Sequence, residues 1–146
     1  MLNQPNLTNM NPKQFAIGTL TGGVAYFFLG FLVYAVILAG FFEANMGTAT
    51  GVMKTDMQWW PLILGNLASG ALLTLVFLKW ANISTFSSGA SAGAIIGFLV
   101  VSGYDLIMYD TSNIMNLTGT LVDIVVYTLI SALAGGLIGL VLQKSR

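Results

Sequence analysis

The sequence predicts an all-α membrane protein in which four transmembrane helices form one bundle. Apolar residues make up 56% of the 146 residues and charged residues only 7%, whereas soluble domains carry about 25% charged residues. Four apolar stretches each contain at least 21 residues, and about 20 helical residues cross the ~30 Å hydrocarbon core of a bilayer. The strict alternation of apolar and polar residues that a membrane β-barrel requires is missing from these stretches.

The apolar stretches set the predicted domain organisation. A polar tail covers residues 1–14, a transmembrane domain covers 15–142, and a short second tail covers 143–146. Helix is the expected conformation because every backbone amide in lipid needs a hydrogen-bond partner within the chain. The predicted helices are 15–42, 59–80, 89–109 and 118–142.

The basic residues near the helix ends predict the orientation of the chain. Lys13, Lys79, Lys144 and Arg146 fall on one side of the membrane, and Lys54 falls on the other. Because cytoplasmic segments carry an excess of Lys and Arg, both termini are predicted to be cytoplasmic. The net charge of zero and the scattered bases argue against a nucleic-acid partner. The lipid bilayer is therefore the first expected partner.

The composition leaves little material for catalysis or metal binding. The chain contains no Cys and no His, which removes thiol nucleophiles, imidazole bases, histidine-ligated haem and the usual zinc sites. The glycines lie within apolar helices, where helix packing explains them better than a phosphate-binding loop does. We therefore expect no enzymatic activity, no metal site and no cofactor.

Glycine is frequent, and many of the glycines are four residues apart. The chain has 17 glycines, which exceeds the usual share of about 7%. Small residues one helical turn apart form a groove into which another helix backbone fits. Such grooves serve either the bundle itself or contacts in a homo-oligomer or larger membrane complex. The candidate packing residues are Gly18, Gly22, Gly89, Gly93, Gly97, Gly135 and Gly139.

The two halves of the chain resemble one another in places. At an offset of 67, several residues between Gly22 and Val33 match those between Gly89 and Val100. At an offset of 66, residues 67–70 resemble residues 133–136. One interpretation is a helical hairpin that was duplicated in parallel orientation. The alternative is coincidence, because membrane helices draw on few residue types.

Three polar side chains fall within the predicted helices, namely Asn66, Asp105 and Asp123. Deep in the helices there is no Lys or Arg to neutralise the two acids, and an Asp at a helix centre costs about 2.5–3.5 kcal/mol on insertion scales. At ~1.5 Å per residue, both acids lie roughly 6–8 Å below the outer boundary. The three side chains are expected to converge in one outward-facing cavity, with hydroxyl groups from Tyr104 and Tyr127 beside them.

Two interpretations of the acids remain open. Two carboxylates in a poorly hydrated site cannot both stay ionised without cost, so a proton or a cation would lie between them. This favours an ion site or a pocket for a small cationic ligand at Asp105 and Asp123. In the alternative, each Asp has a structural role: it reaches the lipid headgroups, caps a helix or bonds a neighbouring Tyr or Ser.

The first predicted helix carries a short motif. Residues 29–34 read Leu-Gly-Phe-Leu-Val-Tyr, and Gly40 follows. This resembles the bacterial membrane family called domain of unknown function 1761, whose first helix has a similar Leu-Gly, a Tyr four residues after that Gly, and a further Gly. Ala35 and Val36 stand where that family often has Ser-Pro. The resemblance implies four helices in a bacterial inner membrane, with no activity to carry over, and makes Tyr34 a candidate pocket residue.

Two classes of function follow from these observations. The first, which the sequence favours, is a non-enzymatic accessory or homo-oligomeric protein that packs against other membrane helices. The second is a small transporter or channel with an outward-facing site for a proton, cation or small ligand at Asp105 and Asp123.

Overall fold

A computed structural model describes residues 10–145, so Arg146 and the first nine residues of the predicted polar tail lie outside the described residues. Within the described range the chain is helical and contains no β-strand. The helices are α1 (Pro12–Gly30) with a π-helical continuation (Phe31–Ile37), α2 (Ala39–Ala44), α3 (Trp59–Val76) with a π-helical continuation (Phe77–Ala81), α4 (Phe86–Thr111) and α5 (Leu117–Lys144).

The predicted fold class is confirmed. Four helical segments are long and apolar enough to cross a membrane, which matches the four predicted helices in number and order. These segments are Pro12–Ile37, Trp59–Ala81, Phe86–Thr111 and Leu117–Lys144. The chain is therefore compatible with a multi-pass membrane protein.

Polar residues at the helix starts explain why the segments are slightly longer than the apolar runs. The Asn116 side chain accepts a 2.9 Å hydrogen bond from the Gly119 amide, and the Thr85 hydroxyl accepts one of 3.2 Å from the Ser88 amide. These side chains replace the intrahelical partners that the first amides of a helix lack. As a result α4 begins three residues before the predicted 89–109 helix.

The first predicted helix, 15–42, is wrong as a continuous element because the chain breaks at Leu38. The Leu38 amide donates a 2.8 Å hydrogen bond to the Val33 carbonyl oxygen, five residues back, which makes a wide π-type turn. The short α2 follows after Leu38, whose dihedral angles (φ −108°, ψ 10°) are not helical. Its Phe42 ring packs against the ring of Tyr34 at a centroid distance of 5.3 Å, and this contact stabilises the break.

The helices pack side by side in the order α3, α1, α5, α4. Helix α1 packs against both α3 and α5, whereas α4 packs mainly against α5. Helices α1 and α5 therefore form the centre, and α3 and α4 lie on opposite flanks. A two-fold relation between the hairpins would make the α1–α5 and α3–α4 pairs equivalent, and this packing order does not do so.

Each end of the bundle is closed by hydrogen bonds between distant parts of the chain. At the terminal end, where α1 begins and α5 ends, the Gln14 side-chain amide donates a 3.2 Å hydrogen bond to the Ser145 carbonyl oxygen. At the loop end, the 45–58 connection pairs with the 112–116 connection. There the Gly47 amide donates to the Ile114 carbonyl oxygen at 2.8 Å. The start of α1 and the end of α5 thus lie at the same end of the bundle.

Glycines form the contact between α4 and α5. A Cβ added at Gly89 would collide with the Gly135 carbonyl oxygen, and one added at Gly93 would collide with the Ser131 carbonyl oxygen. Gly97 lies against the Ser131 side chain, and Gly139 lies against the Thr85 carbonyl oxygen. Because these glycines have no side chain, the backbones of α4 and α5 can approach one another closely.

Glycines also form the contact between α1 and α3. Gly18 lies against the Thr74 side chain, and a Cβ added at Gly22 would be 2.7 Å from the Gly70 Cα atom. All seven candidate packing glycines therefore lie at contacts within the chain. Each hairpin crosses at a pair of glycines, Gly22 with Gly70 and Gly89 with Gly135, so the hairpins share a local feature. The duplication itself stays a prediction.

The half of the bundle nearest the terminal end has a dense apolar core. Leu73, Phe77, Ile138 and Leu142 are each at most 1% exposed. They come from α3, its π-helical continuation and α5, and they belong to one cluster with Tyr26 of α1. This core separates the terminal end from the half of the bundle nearest the loop end.

Candidate functional site

Asp105 of α4 and Asp123 of α5 line one cavity near the loop end of the bundle. This carboxylate cavity has a volume of about 160 Å³, and Tyr104 and Thr120 are among its other lining residues. At ~30 Å³ per molecule, it has room for about five waters. Each acid lies six residues from the nearer end of its helix, or roughly 9 Å at ~1.5 Å per residue. The two acids therefore lie slightly deeper than the sequence predicts.

One oxygen of each carboxylate lacks a hydrogen-bond partner among residues 10–145. The two carboxylates are half-buried and close enough to interact with one another. Asp105 Oδ2 and Asp123 Oδ1 are shielded from solvent, and neither accepts a hydrogen bond from the described residues 10–145. Buried polar atoms in proteins almost always have a partner, so these oxygens have acceptor capacity for a proton, a water molecule or a cation.

Tyr34 faces the acids from the π-helical part of the first segment. Its hydroxyl lies within interaction range of the Asp123 carboxylate. Asp123 and Tyr34 also line a second, larger space of about 630 Å³, the methionine cavity, together with Glu43, Met46, Met53 and Met115. Asp123 is therefore shared by the carboxylate and methionine cavities.

A third space lies between α1, α3 and α5. This aromatic cavity has a volume of about 390 Å³ and is lined by Tyr26, Phe27, Phe31, Tyr34, Trp59 and Tyr127, with Asn66 and Leu62 beside them. Tyr34 also lines the methionine cavity, so these two spaces share one lining side chain. The three cavities thus adjoin one another through Tyr34 and Asp123.

The expected convergence of Asn66 with the two acids is wrong. Asn66 lines the aromatic cavity, and its side-chain amide donates a 2.7 Å hydrogen bond to the Leu62 carbonyl oxygen of its own helix. The reason is the packing order, since α3 and α4 lie on opposite flanks of the α1–α5 pair. A side chain on α3 therefore cannot reach Asp105.

The two candidate tyrosines lie in different places. Tyr104 lines the carboxylate cavity but is 66% exposed, so much of its ring faces outward. Tyr127 lines the aromatic cavity, where its ring stacks on that of Tyr26 at a centroid distance of 5.8 Å. Tyr127 does not line the carboxylate cavity, and its hydroxyl beside the acids stays a prediction.

Tyr26, Trp59 and Glu43 line these cavities and were not predicted as site residues. One signal was available for Tyr26. It lies eight residues before Tyr34, with Gly30 midway, which puts both tyrosines on one face of a helix with a gap between them. Trp59 and Glu43 carry no comparable signal, because aromatic and charged residues at helix ends are normal at a membrane interface.

Two carboxylates and a phenol are a poor donor set for a transition metal. Among the described residues, no three His, Cys, Asp or Glu side chains form a group that could hold a metal ion. Carboxylate oxygens suit protons, hard cations and organic ammonium groups. The chemistry available at the site is therefore the binding of positive charge.

Comparison with family models, with curated proteins and with solved structures found no match. The resemblance to domain of unknown function 1761 therefore stays a prediction. The class of the protein rests on its own helices, which are compatible with a multi-pass membrane protein.

Proposed function

We propose that the protein is a small transporter that binds a proton or a cation at Asp105 and Asp123. The observation that carries this proposal is that the two acids share one cavity and that each has a buried oxygen without a hydrogen-bond partner. An Asp at the centre of a membrane helix costs about 2.5–3.5 kcal/mol on insertion scales, and these two acids carry part of that cost. A bound positive charge would offset that cost, and cation binding would therefore explain why two acids lie in these helices.

The structural alternative for the acids receives less support from the geometry. Helix α5 is capped by Asn116 rather than by Asp123, and α4 begins at the opposite end of the bundle from Asp105. Neither Asp105 Oδ2 nor Asp123 Oδ1 accepts a hydrogen bond from a neighbouring Tyr or Ser among the described residues. A purely structural Asp would normally satisfy its oxygens within the fold.

The location of the cavities favours a carrier over an open channel. All three cavities lie in the half of the bundle nearest the loop end, whereas Leu73, Phe77, Ile138 and Leu142 fill the other half. Because this apolar core blocks the path, a transported ion could cross only after the helices rearrange. The π-helical stretch Phe31–Ile37 is the candidate hinge, because it carries Tyr34 and ends at the break in the first segment.

The cellular location belongs to the same proposal. Lys13 and Lys144 lie at the terminal end, and Lys54 lies in the connection at the loop end. The excess of basic residues supports a cytoplasmic terminal end, so the cavities would face outward. The resemblance to domain of unknown function 1761 supports the bacterial inner membrane.

The experiment is a flux assay on purified protein in liposomes that contain a dye sensitive to the imposed ion, with proton, Na⁺ or K⁺ gradients. We expect flux with the unmodified protein and at least a tenfold loss in Asp105→Asn and Asp123→Asn. Asp110→Asn is the matched control, since Asp110 is an exposed acid at the same end of α4. Equal flux in all four proteins, or no flux with any gradient, would overturn the proposal.

A second function, as an accessory or homo-oligomeric protein, is favoured by one observation on the outer face of α4. A Cβ added at Gly103 would meet nothing within 4 Å, and the apolar side chains of Leu99 and Ile107 are exposed one turn away on either side. A small residue on an unpartnered face lets another helix approach. If the detergent-solubilised particle has the mass of one chain both in the unmodified protein and in Gly103→Leu, the homo-oligomeric form of this second function fails.

A further inference from the structure

We infer that the ligand is an amphiphilic organic cation, in which an ammonium or phosphonium group is joined to an apolar or aromatic body. The inference rests on the proposed function, because the same acids would hold the positive charge. It adds the chemical class of the ligand and the place where its apolar body would bind.

The sizes of the cavities fit a molecule larger than a bare ion. The aromatic and methionine cavities have volumes of about 390 and 630 Å³, within the ~300–1,000 Å³ of typical small-molecule sites. The carboxylate cavity, at about 160 Å³, has room for a charged group and a few waters. A bare cation would need the acids alone and would leave the two larger spaces without a role.

The lining of the larger cavities suits the apolar part of such a cation. Six aromatic rings line the aromatic cavity, and aromatic faces attract organic cations through their quadrupoles. The thioethers of Met46, Met53 and Met115 line the methionine cavity. Methionine side chains adapt to ligands of different shape because they are unbranched and polarisable. The side chains of Asn66 and Tyr34 supply the few polar groups.

The charged side chains that line the three cavities, among the described residues, are all acidic. Glu43, Asp105 and Asp123 each line one or two of the three cavities, and no Lys or Arg of the described part of the chain lines any of them. Lys54, in the same connection as the cavity-lining Met53, is exposed. A site with carboxylates and no basic group attracts cations and repels anions of the same shape. This excludes fatty acids and anionic lipid headgroups as the favoured occupants.

The rim of the aromatic cavity lies at the outer surface of the bundle. Trp59 and Phe31 both line this cavity and remain more than half exposed. Both belong to segments long and apolar enough to cross a membrane, so their exposed faces would contact lipid. An amphiphilic cation that partitions into the membrane could therefore enter sideways, between α1 and α3.

The test uses tetraphenylphosphonium as the probe, with purified protein in detergent and isothermal titration calorimetry. Tetraphenylborate has nearly the same shape with the opposite charge, and tetramethylammonium has the charge without the apolar body. We expect saturable binding of tetraphenylphosphonium and at least tenfold weaker binding of the other two. If tetraphenylborate binds saturably and with equal affinity, the site selects apolar molecules regardless of their charge. That result would overturn the inference.

Two variants locate the probe. Trp59→Ala is expected to weaken tetraphenylphosphonium binding at least tenfold, whereas Trp59→Phe should retain most of it. Trp60→Ala is the matched control, because Trp60 is the exposed neighbour and does not line the aromatic cavity. Equal losses in Trp59→Ala and Trp60→Ala would place the probe elsewhere and overturn the inference.

The outcomes separate this inference from the proposed function. Cation or proton flux that requires Asp105 and Asp123, without saturable tetraphenylphosphonium binding, overturns the ligand class and leaves the transporter standing. Tetraphenylphosphonium binding that Asp123→Asn weakens and Asp110→Asn does not would support both. Tetraphenylphosphonium binding without flux of protons, Na⁺, K⁺ or tetraphenylphosphonium itself supports the ligand class and overturns the transporter.

Discussion

The Tyr26 hydroxyl donates a 2.9 Å hydrogen bond to Ser131 Oγ and thereby joins α1 to α5 at the middle of the bundle. Both side chains are buried. On one side of this bond lies the apolar core around Phe77 and Ile138, and on the other side lies the aromatic cavity. The pair therefore marks the boundary between the closed half and the half that contains cavities.

Removal of this hydrogen bond should destabilise the fold by a modest amount. Tyr26→Phe keeps the ring that stacks on Tyr127 but leaves the buried Ser131 hydroxyl without its donor. We expect the free energy of unfolding to fall by about 0.5–1.5 kcal/mol, measured by denaturing-detergent titration with circular dichroism. Tyr104→Phe is the control, since Tyr104 is 66% exposed. An equal loss in both variants would contradict this role.

The second prediction concerns the close approach of α4 and α5 and its contribution to stability. Gly93→Ala places a methyl group against the Ser131 carbonyl oxygen, so the helices must separate or shift, and we expect a cost of about 1–3 kcal/mol. Gly103→Ala is the matched control on the same helix, because the new methyl group meets nothing within 4 Å. The control should be neutral or stabilising by up to about 1 kcal/mol.

The same denaturing-detergent titration reads out both glycine variants. A Gly103→Ala protein less stable than Gly93→Ala would show that the backbone contact between α4 and α5 is not what these glycines provide. It would also point to a partner on the outer face of α4, which is the surface that the accessory function would use.

The helices could be predicted from sequence because the bilayer imposes length and polarity on them. A run such as 118–142 has only one stable conformation in lipid, and it became α5. The break at Leu38 could not be predicted in this way. It has no local Pro, and it depends on the contact between the rings of Tyr34 and Phe42, which forms only after the chain has turned.

The site was partly predictable for a related reason. Asp105 and Asp123 stand out in sequence because charge is rare in membrane helices, and their similar depth follows from counting residues. Which side chains share a cavity depends on the lateral order of the helices. That order puts α3 beyond α1, as seen from α4, and so separates Asn66 from the acids. Glycine spacing marks which helices approach closely but does not identify their neighbours.

The loop end offers a third prediction, centred on Asn116. Its side chain accepts a hydrogen bond from the Gly119 amide and donates one of 3.1 Å to Asn45 Oδ1. Asn116→Ala should therefore lower the free energy of unfolding by about 1 kcal/mol through loss of the helix cap. Hydrogen exchange at the Gly119 amide should also become faster, because that amide loses its acceptor.

Asn113→Ala is the matched control for Asn116→Ala. Asn113 contributes its backbone carbonyl oxygen, which accepts a 3.0 Å hydrogen bond from the Ala49 amide, and a change of side chain keeps that oxygen. We expect the stability and the Gly119 exchange rate to be unchanged in this variant. Equal effects at both positions would indicate that the connection as a whole, rather than the cap, was disturbed.

The last prediction concerns the orientation of the chain, and the absence of cysteine makes it simple to test. Thr48→Cys puts a thiol in the connection at the loop end, and Ser145→Cys puts one at the terminal end. Because the basic residues favour a cytoplasmic terminal end, a membrane-impermeant maleimide should label Thr48→Cys in intact cells and Ser145→Cys only after permeabilisation. The reverse pattern would turn the cavities toward the cytoplasm, so that the acids would take their cation from inside the cell.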